Sequence, residues 1–394
     1  MLRKAKDTVV HFIKGTDKLL LILCLLASAF GVLCVYSATR YTISDKISFP
    51  RDARTMIVAI CLGLFLAVVI SLIDYDIICK LWPVFAVGSV ALMILVMLVG
   101  VGPPSRPDSK VWLNLRVFYF QPSELVKIFF IITFSTHLDA VKNNINKLGT
   151  LALLILHALV PTLLVMKSGD DGSAVVFMGI AAIMLFVAGI SWKYILAALA
   201  LVITAVPLLW FKFMSEFQKQ RFIVIVNPEA YPDTAYQQNM GLSAIGQGGF
   251  LGTGLFKGAY TQSHSVPESS NDFIFTVVAE EFGTLGCIIA LGLILAIIFR
   301  IIHNGKKSIF NTSTLMCYGI ASMIAIQVII NVAMCLRLGP VVGITLPFFS
   351  SGGSSSLCLY IGLGLIFSVY RTTYNQKPTN FRLTSIRSPY VSQL

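Results

Sequence analysis

Ten stretches of this chain are long and apolar enough to cross a lipid bilayer, and no other feature restricts its fold so severely. They lie near 19–37, 55–73, 82–101, 123–138, 149–166, 172–190, 194–213, 272–300, 313–335 and 352–371. A hydrocarbon core about 30 Å thick takes roughly 20 residues of helix, and only helices or closed barrels satisfy their backbone polar groups inside it. The reading is an all-α polytopic membrane protein with about ten transmembrane helices. Composition agrees: 56% of residues are apolar and 12% charged, against about a quarter charged in a soluble domain. No short apolar run with a small-residue cleavage site precedes the first long run, which reads as a retained helix. The eight cysteines fall mostly inside apolar runs with no CxxC pair. That pattern suits packing thiols better than a metal site or a disulfide framework.

An even number of crossings puts both termini on one side. That side carries Arg3, Lys4, Lys6, Lys14 and Lys18, then Lys80, Lys142, Lys147, Lys193, Arg300, Lys306 and Lys307, and finally Arg371, Lys377, Arg382 and Arg387. Lys and Arg accumulate on the cytoplasmic face, so both termini of this cell-membrane protein are expected in the cytoplasm. The opposite face holds Arg40, Lys46, Arg51, Arg54, Lys110, Arg116, Lys167, Lys219, Arg221, Lys257 and Arg337. Topogenic charge explains the inner set but not the outer one. A formal charge of +12 suits anionic membrane lipids or a phosphate-bearing substrate; no nucleic-acid partner is expected.

One membrane domain is expected over 1–371, followed by a polar cytoplasmic tail at 372–394. The outer connection between the seventh and eighth spans, 214–271, is far longer than the usual few residues, and loops of that length are generally functional or disordered. It contains the turn-rich "NPEAYPD" and the glycine-rich "IGQGGFLGTGLFKG", whose glycines permit close backbone approach. It is too apolar for a linker and should fold back against the outer leaflet.

Four outer clusters place polar side chains where they are expensive. In "DSKVWLNLRVFYFQPSELVK" (108–127), Pro122 suits a helix start and Glu124 and Lys127 share a face. They form either an internal ion pair or one wall of a cavity with Lys110 and Trp112 at its rim. In "KSGDDGSA" (167–174), Asp170 or Asp171 caps the next helix or serves a site. In "SVPESSNDFIFTVVAEEFG" (265–283), Asp272 is either a helix-start acid or something more, since Ser270 and Asn271 cap equally well. Glu280 and Glu281 lie about two turns deeper and need partners or protons there. The fourth, "LRLGPVVGITLPFFSSGGSSS" (336–356), is a re-entrant plug or the floor of a site.

Together "FQPSELVK", "DDGSA", "NPEAYPDTAYQ", "AIGQGGFLGTGL", "VPESSNDFIFTVVAEEFG" and "GITLPFFSSGGSS" resemble, in order and over nearly the whole chain, the SEDS family of shape, elongation, division and sporulation proteins. Its members include RodA, FtsW and SpoVE, and "NPEAYPD" is closest to the elongation type. The resemblance implies a ten-helix fold and an inverting peptidoglycan glycosyltransferase, which polymerises lipid II at the outer face of the membrane beside a class B penicillin-binding protein. It implies that Asp272, in Pro267-Glu268-x-x-x-Asp272-Phe273-Ile274-Phe275, is the catalytic base. Val111 stands after Lys110 where the family usually has Arg, and "SGDDGSA" replaces "QPDLGTA", keeping Asp170.

Glycan polymerisation needs a base for the attacking hydroxyl and positive charge for the departing pyrophosphate. Lys110, Arg221, Lys257 and Arg337 are the candidates for the phosphates, with a divalent cation, Mg or Mn, as a further source of charge. Trp112, Glu268 and Ser350 are further sugar or pyrophosphate candidates. Two alternatives accompany this reading: a lipid II flippase, and a non-catalytic scaffold for the penicillin-binding protein. A flippase requires polar residues through both halves of the membrane, whereas the unusual acids here gather outside.

Overall fold

The structure, a computed structural model, describes residues 15–43, 49–102, 109–116 and 119–375. Arg3, Lys4, Lys6, Lys14, Lys46, Asp108, Lys377, Arg382 and Arg387 lie outside the described residues, as does the expected tail beyond residue 375. The chain is almost entirely helical, and helices occupy all ten expected positions. These are α1 (Lys18–Thr39), α2 (Arg51–Leu72), α4 (Trp82–Val99), α5 (Pro122–Ala140), α6 (Leu148–Lys167), α7 (Asp171–Val187), α8 (Trp192–Leu208), α12 (Ile274–Lys307), α13 (Asn311–Cys335) and α14 (Gly353–Asn375). Eight of them are long and apolar enough to cross a membrane. The other two are α5, which carries charge, and α7, which has 17 residues. A short α3 (Tyr75–Lys80) turns the chain between α2 and α4.

Local chemistry sets the boundaries. Asp17 caps α1 through the Leu20 N–H, Pro122 opens α5, and Asp170 caps α7 through the Ser173 N–H, the side-chain and proline starts that leave fewer orphan amides. Pro207 lies near the end of α8, which passes into a π-helical turn at Leu209–Phe213. At one end of the bundle Arg300 makes a two-pronged ion pair with Asp17, and Asn304 donates to the same carboxylate at 2.8 Å. Nearby, the Arg371 side chain passes against Gly15. The ends of α1 and α14 therefore meet on one side of the bundle, as an even number of crossings requires.

The outer segment 214–271 departs from expectation. It is no loop lying on the leaflet but holds α9 (Glu216–Val226), α10 (Pro232–Gly248) and the single turn α11 (Ala259–Gln262). Helix α10 packs against α12 at glycine contacts: a Cβ on Gly248 would fall 1.9 Å from the Ala279 carbonyl oxygen. Gln238, fully buried on α10, donates to the carbonyls of Met334 and Gly339.

Helix α12 explains the two deep glutamates. At 34 residues it would run about 50 Å if straight, far more than a bilayer core needs. It is broken at Gly283, whose φ is +67°. The break frees backbone groups that lipid cannot satisfy, and the glycine-rich segment supplies their partners. Thr253 and Gly254 N–H groups donate to the Glu280 and Glu281 carbonyls, and the Thr284 and Leu285 N–H groups donate to Gly249 and Phe250. Gly252, at φ +82°, is needed there because a Cβ would lie 2.2 Å from the Glu281 carbonyl. Glu280 and Glu281 thus flank a protein-filled break.

The 336–352 segment inserts into the bundle. Ile344, Leu346, Phe348 and Phe349 are buried, and Gly31 of α1 admits the Phe348 backbone where a Cβ would clash. Between α4 and α5 a two-residue ribbon pairs β1 (Leu113–Asn114) with β2 (Tyr119–Phe120). It is small and was not expected.

Candidate functional site

At the outer end of the bundle lies a cavity of about 550 Å³ whose walls come from six separate stretches of chain. Arg51, Asp52 and Thr55 come from the start of α2. The ribbon region contributes Ser109, Val111, Trp112, Tyr119 and Gln121. Asp170 and Asp171 come from the start of α7, and Arg221 and Gln237 from α9 and α10. Glu268, Asn271 and Asp272 form the turn before α12. Gly343, Thr345 and residues 351–355 make the floor, with Val341 and Val342 beside them, so the re-entrant segment is the base of the site.

Asp272 sits two residues ahead of α12 and does not cap it: the N-cap position is Phe273, which supplies no side-chain cap. The turn is held from several sides. The Asn271 and Phe273 N–H groups donate to the Glu268 carbonyl, and Asn271 Nδ2 donates to the Glu268 carboxylate at 2.7 Å. From behind, Asn331 Nδ2 donates to the Asp272 carbonyl, and from below Ser350 Oγ donates to the Asn271 carbonyl at 2.6 Å. Ser351 N–H donates to the Ser270 carbonyl, and Ser270 Oγ donates to Asp52 at 3.0 Å. The turn around the aspartate is thus held in place, and the hydrogen bond to its carboxylate comes from its own backbone N–H. Oδ1 is buried and takes no hydrogen bond from any other residue. Burial, reinforced by the neighbouring Glu268 carboxylate and opposed by Arg221, raises the Asp272 carboxyl from the usual carboxylate range to about 7.

Other expected residues are placed as follows. Glu268, Trp112, Arg221 and Asp170 line the cavity with Asp272. Asp170 also does structural work: Oδ1 caps α7, and Oδ2 accepts from Gln121 Nε2 at 2.8 Å and Ser123 Oγ at 2.7 Å, tying α5 to α7. Arg221 lies over the Phe217 ring at 4.3 Å. Lys110 is exposed, with its flanking residues rather than itself in the wall, and its N–H donates to the Ser168 carbonyl. Lys257 is exposed beside the glycine-rich segment and is not among the lining residues. Arg337 is likewise absent from the lining and donates to Asn239 Oδ1, joining the end of α13 to α10. Ser350 is buried as a strut beneath the turn and accepts from the Leu346 N–H.

Three acids and one cation serve the interior. Glu124 and Lys127 form a buried ion pair at 2.7 Å, outside the main cavity. Glu280 accepts from the Tyr260 and Thr261 N–H groups and from Thr261 Oγ1 at 2.6–2.8 Å. Glu281 accepts from Ser37 Oγ at 2.6 Å and Gln262 Nε2 at 3.0 Å. Among the described residues no group of three or more His, Cys, Asp or Glu could hold a metal ion.

The sequence reading missed Arg51, Asp52, Asn271 and Gln237 as wall residues. Arg51 had been recognised as an outer cation, which was a usable signal. Gln237 was hidden because its helix was taken for a loop, and its Nε2 now bonds the Pro267 carbonyl at 3.0 Å.

Comparison with known proteins supplies a context for this geometry. The family of cell cycle proteins FtsW, RodA and SpoVE matches residues 17–375. A probable peptidoglycan glycosyltransferase FtsW of Geobacter sulfurreducens is 31% identical over 370 residues, spanning 91% of this chain and 96% of its own. The peptidoglycan glycosyltransferase MrdB of Escherichia coli is 32% identical over 284 residues, spanning 71% of this chain and 76% of its own. Among solved structures, the rod shape determining protein RodA of Thermus thermophilus superposes with a TM-score of 0.67 at 25% identity, covering 91% of this chain and 98% of its own. A chain from a peptidoglycan synthase complex that coordinates polymerization and crosslinking superposes with a TM-score of 0.78 at 27% identity, with the same coverage. The chain belongs to the FtsW/RodA/SpoVE family of cell cycle proteins.

Proposed function

We propose that this membrane protein is a peptidoglycan glycosyltransferase that polymerises lipid II into glycan strands at the outer face of the cytoplasmic membrane, with Asp272 as its base. The observation that carries the assignment is the Asp272 carboxylate, with one oxygen free of other donors in the wall of a large outer cavity. A general base works best when its pKa lies near the working pH, and burial brings Asp272 there.

In the reaction the acceptor's sugar hydroxyl gives its proton to Asp272 while its oxygen bonds the donor's anomeric carbon. The bond from that carbon to the pyrophosphate breaks, and undecaprenyl pyrophosphate leaves. One base and no protein nucleophile give inversion. Arg51 and Arg221 are the guanidinium groups in the wall, and they stabilise charge on the departing phosphates. A divalent cation enters only as a companion of the pyrophosphate. Turnover lost with EDTA and restored by Mg or Mn would support that role, and turnover indifferent to EDTA would remove it.

The likeness to a chain of a peptidoglycan synthase complex supports a class B penicillin-binding protein as the partner that crosslinks the product. Both termini belong in the cytoplasm on the distribution of Lys and Arg, and the elongation role belongs to the same proposal. The transport alternative draws on polar groups deeper along α5, where His137 and His157 approach at 2.9 Å and Thr133 lies 3.1 Å from His157. Those groups, like Glu124 and Lys127, are paired with each other, whereas Asp272 lines the outer cavity.

The test is to incubate the purified full-length protein with labelled lipid II, with and without a cognate partner, and resolve glycan strands on a gel. Polymer with release of undecaprenyl pyrophosphate supports the assignment. Lipid II moved across vesicle membranes with no polymer under either condition would replace it with transport.

A further inference from the structure

Beside the cavity, where the outer end of α1 meets the chain after α11, two rings stand in water. Tyr41 and His264 stack with centroids 4.2 Å apart and 29° between planes, and the Tyr41 hydroxyl lies 3.3 Å from His264 Nε2. Both residues are exposed, Tyr41 by half of its surface. His264 holds φ at +53°, a left-handed conformation that residues other than glycine seldom adopt. The backbone thus presents this imidazole at one defined place. Alongside, the exposed Arg40 guanidinium lies 4.9 Å from the centre of the Phe256 ring.

An aromatic belt at the lipid–water boundary accounts for part of this surface. Tyr36 packs against Phe49 and Phe256, as such anchors do. The Tyr41–His264 pair differs, because it is a polar stack with its partner drawn from the strap that leads to Asp272. Tyr41 lies within electrostatic reach of Asp52 and Glu268, both in the cavity wall. Glu268 follows His264 by only four positions, at most about 14 Å of chain. The pair therefore lies near the cavity wall without lining it.

An exposed ring face offers apolar area with little side-chain freedom to lose, which suits the C–H face of a pyranose, and the hydroxyl, imidazole and guanidinium can bond its hydroxyl and acetamido groups. A polymer assembled in the cavity must emerge across a rim. We propose that the Tyr41–His264 stack, flanked by Arg40, is a saccharide subsite that holds the ring of the glycan strand next to the reacting sugar. This rests on the glycosyltransferase reading and adds a place for the strand.

Two measurements on the full-length protein in detergent test it: the length distribution of strands made from lipid II, and the binding of chitotetraose by saturation-transfer NMR. Tyr41→Ala and His264→Ala should shift products toward shorter strands and weaken chitotetraose binding at least about fivefold, the loss expected of one stacked aromatic face. Tyr41→Phe keeps that face and should restore the length. No binding by the parent, or unchanged affinity in Tyr41→Ala, overturns the proposal. Shorter strands with unchanged affinity would assign the length effect to something other than saccharide binding and likewise overturn the subsite. No polymer from the parent protein, with or without a cognate partner, refutes the glycosyltransferase reading, while the chitotetraose measurement still decides the subsite.

Discussion

Asp272 and Glu280 lie eight residues apart on the same outer stretch of chain, yet they have opposite surroundings. Glu280 is fully buried and accepts three hydrogen bonds from α11. Asp272 has its backbone fixed by Asn331 and the struts below it, and its Oδ1 accepts nothing from another residue. The first acid is consumed in building the structure, and the second is held ready by it. Position relative to the membrane does not separate the two. Hydrogen-bond accounting does.

That contrast can be broken most severely at the helix break. Glu280→Ala strands three donors, and Gly252→Ala drives a Cβ against the Glu281 carbonyl from a left-handed backbone. Each should lower stability by about 2–4 kcal/mol, read as earlier thermal unfolding in detergent. A melting curve unchanged by both would show that the break is not held this way.

Next comes the charge at the wall. Arg221→Ala should lower kcat/KM roughly tenfold to a hundredfold, because a cation opposite the pyrophosphate is removed. Kinetics equal to the parent would move the phosphates elsewhere.

The pH dependence sharpens the difference between the two acids. Asp272 must be deprotonated to act, so turnover should rise with pH and reach half its plateau near 7. Glu268→Gln removes a carboxylate that raises the Asp272 value, so the rising limb should move to lower pH. An unmoved limb would detach Glu268 from the base. Stability has the opposite sign. Between the usual carboxylate range and about 7, the folded state keeps a proton that the unfolded chain releases, so this group's contribution weakens as pH rises.

The smallest effect is expected at Lys257. It is exposed and outside the cavity wall, and Lys257→Ala should change turnover by less than about twofold, within the range of an ordinary surface change. A large loss would return it to the phosphate site.

The sequence made the spans legible because a 20-residue apolar run has few other fates, and Pro122 and Asp170 marked helix starts through local chemistry. The Glu124–Lys127 pair was readable for the same reason, being one helical turn apart. The long-range features were not. Helix α10 reads as loop because its residues are small and polar, and it is stabilised by glycine contacts with α12 distant in sequence. The break at Gly283 needs the 249–254 segment to complete it, and neither half signals the other. Cations divided the same way. Arg51 and Lys257 look equivalent along the chain, and only the fold turns one into the cavity and the other away.

The most direct measurement places Asp272→Asn and Glu280→Gln side by side, following lipid II turnover per folded molecule together with the melting temperature of each. The account expects Asp272→Asn to melt no earlier than the parent protein and to lose about 10²–10⁴-fold in turnover, while Glu280→Gln melts earlier and its folded fraction still polymerises. Strands made at the parental rate by folded Asp272→Asn would contradict it.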